Sequence, residues 1–148
     1  MFSSEADIDH IARGVIDRTL PKVEWTHAAH FAAALWVLRH GNPDAMGNLI
    51  RRYNEATGTA NTDSGGYHET ITQASLRGAK SVLDGFPEGT SLDVAANALL
   101  ASPLGRSDWL LRHWSREVLF SVEARRGWVK PDLTPLPYPE LIKPGAPK

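Results

Sequence analysis

The stretch Thr26-His27-Ala28-Ala29-His30-Phe31-Ala32-Ala33-Ala34-Leu35-Trp36-Val37-Leu38-Arg39-His40-Gly41 decides the fold class. Thr26 is an N-cap residue type, Gly41 is a C-terminal stop, and no proline interrupts the run between them. His27, His30, Phe31, Ala34, Leu35 and Leu38 follow the i, i+3, i+4, i+7 spacing of one buried helical face. The spacing therefore predicts a helix that carries two histidines on its inner side.

Outward from this stretch, the same signals repeat. Upstream, Ser3 or Ser4 caps a first helix with Ile8, Ile11, Val15 and Ile16 at helical spacing, ended by Pro21. Downstream, Asn42-Pro43 opens a third helix with Met46, Leu49, Ile50 and Tyr53 inside, closed by Gly58. The small, polar residues from Thr57 to Gly66 read as a loop. Tyr67 to Leu83 form a fourth helix, with His68, Ile71, Thr72, Ser75, Ala79 and Val82 along one side; these are small residues, so close packing or a cavity is expected there. Thr70 should point away from that face. Thr90 with Asp93 resembles a capping box for a fifth helix, Leu92 to Ala101. Ser107 caps a short helix through Trp114, and Ser115 another through Arg125. No alternating strand pattern is present. The expectation is a single all-α, bundle-like domain of five to seven helices over 1–130. Residues 131–148 hold six of the ten prolines and form either a disordered tail or an extended arm laid across the domain or a neighbour.

Composition narrows the function classes. The chain has 148 residues, 42% hydrophobic and 22% charged, with a formal net charge of -1, as in an ordinary globular domain without the basic excess of a nucleic-acid binder. Arg51-Arg52 and Arg125-Arg126 are the tight basic pairs, and exposed helix faces carry such pairs routinely. There are no cysteines, which removes disulfides, thiolate nucleophiles and sulfur-ligated metals. The acidic N-terminus is not a signal peptide, and the longest apolar stretch, Phe31 to Leu38, is too short to span a bilayer. A cytoplasmic protein is the expectation. Phosphate-cradling glycine motifs and a nucleophile-elbow serine are absent.

The candidate chemistry lies where histidine opens a helix. Three of the six histidines, His27, His30 and His68, fall in two such places. Residues three apart on a helix differ by about 60° around the axis, so His27 and His30 can approach one centre. Glu24-x-x-His27 has the spacing of a carboxylate–histidine ligand pair, and His68 with Glu69 adds an imidazole and a carboxylate from another helix. His27, His30, His68 and Glu24 form a candidate set for zinc, iron, manganese or nickel. His27, His30, His68 and Glu69 are the candidate acid–base groups. Without a metal, the same residues form a hydrogen-bonded polar pocket; in the plainest reading the histidines pack and bond nearby backbone, and Glu69 in a first turn favourably opposes the helix dipole. Trp25, Tyr67 and Thr72 are candidate ligand-binding neighbours, with Trp25 also suited to a hydrophobic staple. Asn61-Thr62-Asp63 can bind an ion but more often makes a turn. His113 and Glu117 could face each other at i, i+4 in a continuous helix, but Ser115 suggests a break between them, so the group reads as a cap plus solvated charges. His10 and His40 read as unpaired surface histidines.

Trp25-Thr26-His27-Ala28-Ala29-His30 together with Gly66-Tyr67-His68-Glu69-Thr70-Ile71-Thr72 resembles a family of small, uncharacterised bacterial helical proteins carrying WTHxxH and YHETIT motifs. The likeness runs roughly from Leu20 to Pro131 and includes Ser121-Val122-Glu123-Ala124-Arg125. It implies no particular activity, only that His27, His30 and His68 belong to a shared site.

These readings lead to a small metal-dependent or acid–base enzyme acting on a small molecule. The alternatives are a non-catalytic small-ligand binding or sensing domain, and an interaction protein, a homodimer joined by its proline-rich arm.

Overall fold

An Ala-rich helix can be approached closely from several sides, and this chain places one at its centre. In the computed structural model, which describes residues 1–141, that helix is α2, His27–His40. Thr26 Oγ1 accepts from the Ala29 N–H at 3.2 Å, closing the N-terminus as its sequence implies. Its buried residues are Ala29, Phe31 to Leu35, and Val37, which lie all around the axis rather than on one face. The single-face expectation is corrected accordingly, because α1, α4 and α5 pack around α2 together.

Among the described residues there are seven α-helices, four short 3₁₀ segments and no strand. The remaining helices are α1 Glu5–Ile16, α3 Met46–Ala56, α4 Glu69–Asp84, α5 Leu92–Ala101, α6 Arg116–Leu119 and α7 Val122–Arg126. Ser4 and Asp7 form a capping box on α1. Asn42 Oδ1 accepts from Asp44 N at 3.0 Å and starts a 3₁₀ turn, Pro43–Ala45, that runs into α3. Ala74, Leu76, Gly78 and Ala79 lie buried along α4. A Cβ at Gly78 would sit 3.1 Å from the Leu104 side chain, so the small-residue stripe serves close packing.

The C-terminal third departs from its expectation. The segment before Trp114 is a 3₁₀ turn, Trp109–Arg112, with Asp108 rather than Ser107 at its N-cap. The helix expected from Ser115 to Arg125 is split, because Ser121 Oγ caps a second helix by accepting from Ala124 N at 3.2 Å. Residues 131–141 have no regular secondary structure. Leu133 N donates to His113 O at 2.9 Å, Asp132 Oδ1 accepts from Ser115 N at 2.8 Å, and Leu136, Tyr138 and Leu141 pack on the core. This part of the expected tail lies on its own domain; the rest of it falls outside the described residues. Among the described residues, no helix is long and apolar enough to cross a membrane.

Candidate functional site

Two helix starts and the loop between them shape a cleft of about 360 Å³ among α2, α3 and α4. Trp25, His30, Tyr67, His68 and Thr72 line it, joined by Ile50, Asn54 and Ile71. A side recess of about 40 Å³ extends past His30 to Ala34, Met46 and Leu76. Five of the candidate residues thus meet in one cleft, although they come from segments roughly forty residues apart.

His30 stands out among them. Its ring stacks on Trp25 with centroids 3.8 Å apart and planes 25° apart. Trp25 in turn packs edge-on against Tyr53 at 5.4 Å, which holds the stack in place. His30 is exposed on the outer side of the cleft, whereas its ring face is covered by Trp25 and its inner edge borders the cleft and the side recess. Desolvation, followed by repulsion from a charge on His27, pushes its pKa from 6.5 down to about 4. No hydrogen bond to the protein offsets this fall. At neutral pH, His30 is a neutral imidazole with both nitrogens available to a guest.

His68 has the opposite character. It is the N-cap of α4 rather than a helical residue, and its Nδ1 accepts from the Ile71 N–H at 3.2 Å. That bond requires Nδ1 to be unprotonated, so Nε2 carries the hydrogen and donates to Leu119 O at 2.5 Å. Burial lowers its pKa further. Both nitrogens are committed, so His68 is a wall of the cleft and not a proton carrier.

The remaining candidates diverge. His27 Nε2 donates to Leu104 O at 2.9 Å, and its ring meets Phe31 edge-on at 5.2 Å, away from the cleft lining. Glu24 is exposed in a 3₁₀ turn and reaches His10 Nε2 at 3.3 Å, so His10 is paired after all. Glu69 accepts from Tyr67 Oη at 2.5 Å and from Gln73 Nε2 at 3.2 Å. Burial first, then this bond to Glu69, raises the Tyr67 phenol above its ordinary value of 10.0, keeping it a neutral donor. Thr72 Oγ1 donates to His68 O at 2.9 Å. The set His27, His30, His68 and Glu24 therefore does not converge, and among the described residues no group of three His, Asp or Glu side chains is placed to hold a metal ion. His27 and His30, three apart on α2, leave it toward different neighbours, Leu104 and Trp25.

Several organising residues had no sequence signal strong enough to find them. Asn61 accepts from Tyr67 N and from Asn54 Nδ2, each at 3.0 Å, and donates to Arg51 O at 3.1 Å, fixing the loop that carries Tyr67. Thr70 lies off the cleft lining, as expected, but is fully buried and donates to Gly127 O at 2.8 Å. His113, grouped with a cap and solvated charges in the sequence, is buried and joined through Nδ1 to Thr134 O at 3.1 Å. A larger cleft of about 450 Å³ beside the C-terminal arm includes His113 in its wall, but that ring's Nδ1 is already bonded.

No family model, curated protein or solved structure matches this chain. The fold and site by themselves define an all-α domain with a walled cleft containing one unengaged imidazole.

Proposed function

We propose that the protein is a small-ligand binding domain whose cleft among α2, α3 and α4 takes a planar, largely apolar molecule bearing one hydrogen-bonding group. The observation that carries this reading is His30, a neutral ring stacked on Trp25 and without a hydrogen bond from the protein. Trp25, Tyr67, Ile50 and Ile71 supply apolar walls, and the cleft volume of about 360 Å³ suits a small molecule. A general base works best with a pKa near the operating pH, and an imidazole at about 4 lies well below it. Binding is therefore favoured over acid–base catalysis, and the dispersed donors give no support to a metal-dependent reaction. On this reading, proteins that share the WTHxxH and YHETIT motifs would share the cleft.

The test is a fragment screen by NMR on the wild type and on His30→Ala. Aromatic fragments with one hydrogen-bonding group should shift amides around Trp25, Ile50 and Ile71. His30→Ala should weaken the hits by a few-fold, up to about tenfold, while leaving the fold intact, the size of one lost hydrogen bond. Hits that ignore the cleft, or affinities unchanged by His30→Ala, would remove the proposal.

A further inference from the structure

A second concavity, of about 200 Å³, lies on the other side of Tyr67, lined by Arg51, Asn61, Thr62, Asp63, Arg125 and Arg126. Three guanidiniums face one carboxylate there, although the chain as a whole carries a net charge of -1. The arginines arrive from α3 and α7, which are far apart in sequence. We propose that this concavity is a binding site for a phosphate-class oxyanion.

The state of each arginine supports the assignment. Arg125 Nη1 donates to Gly66 O and Tyr67 O, both at 3.3 Å, at the long end of hydrogen bonding. Its Nε is buried with no hydrogen-bond partner. An unpaired buried donor on a charged group is rare, and a bound ion is one of its ordinary explanations. The fork formed by Nε and Nη2 matches two oxygens of one anion, which a small movement of the guanidinium toward the concavity would engage. Arg51 lies over the face of Tyr67 with its Cζ 4.1 Å from the ring centroid. Its polar contact is a 3.5 Å approach to Asn48 Oδ1, so no carboxylate neutralises it. Arg126 is held by Asp63 through contacts of 2.7 and 2.8 Å, and Glu123 also acts on its charge. That pairing leaves Arg51 and Arg125 as the surplus cations. Two surplus cations favour a dianion over a monoanion by electrostatics alone. Glu69 does not line the concavity; its oxygens accept from Tyr67 Oη and Gln73 Nε2.

The experiment titrates inorganic phosphate into the full chain and follows amide and arginine Nε–H resonances by NMR. Wild type should give saturable shifts at Arg125 Nε–H and at the amides of Asp63 and Tyr67, with affinity falling as salt rises. Arg51→Gln should weaken binding by about tenfold or more, the loss expected for one charge-assisted contact. Arg125→Gln should abolish it. Where Arg125→Gln disturbs the loop, Arg51→Gln decides alone, since its side chain supports no backbone group. His30→Ala should leave phosphate binding unchanged, which separates this site from the ligand cleft. Shifts matched by chloride at equal ionic strength, binding retained by Arg51→Gln, or acetate bound as tightly as phosphate would each overturn the assignment.

Discussion

His30 and His68 are the same residue type in one cleft, and their partners give them different work. His30 has a stacking partner and no hydrogen bond; its titration followed by NMR should give a midpoint near 4. A midpoint close to the ordinary 6.5 would mean that the ring is more open to water than its surroundings imply. His68 uses both nitrogens, one on its own helix and one on Leu119. His68→Ala should cost about 1–3 kcal/mol in chemical denaturation, because it removes a helix cap and strands the Leu119 carbonyl. His68→Asn should recover part of that loss, since asparagine caps helices well. Equal destabilisation by both changes would show that the cap contributes little. These roles were not legible in the sequence, where both residues simply open apolar stripes.

At the scale of elements, the connection between α3 and α4 matters most. It closes on Asn61 and on Gly66, whose φ of +80 lies in the left-handed region. A Cβ there would also stand 2.4 Å from Ala60 O. Gly66→Ala should therefore destabilise the domain by at least about 1 kcal/mol and loosen the Tyr67 side of both concavities. A neutral effect in thermal denaturation would show that the loop can reclose around a side chain. Gly47 plays a related part without unusual backbone geometry: its missing Cβ leaves room for Tyr67 Oη, which would lie 2.8 Å from it. The sequence marked this segment as a polar loop from its composition, and that much was correct. It could not mark Asn61 as the latch, because the three groups Asn61 joins are brought together only by folding.

For the whole molecule, the two depressed histidines set an acid limit. In the unfolded chain both take up protons near 6.5, whereas in the folded chain His30 stays neutral down to about 4 and His68 is also lowered. Between these values the unfolded state binds more protons, so stability rises with pH. Denaturation midpoints should accordingly fall as the pH drops from about 6.5 toward about 4, and the His30 contribution should level off below that. A His30→Ala/His68→Ala variant should have a flatter profile over the same window. An unchanged slope would assign the acid sensitivity to other groups.

What the sequence determined by itself was local. Caps at Ser4, Thr26, Asn42 and Ser115, together with helical spacing and the lack of alternation, are enough for an all-α chain, since each involves residues within a few positions of one another. Even so, the second of the two serine caps near the C-terminus went unread, because a helix of five residues has too little periodicity to announce itself. Tertiary structure decided the rest. It surrounded α2 with neighbours, sent His27 to Leu104 and His68 to Leu119, and left His30 unclaimed beside Trp25. It also carried Arg125 back to the loop ahead of α4. Side-chain direction depends on which distant backbone group is available to bond, and that is settled only when the helices pack.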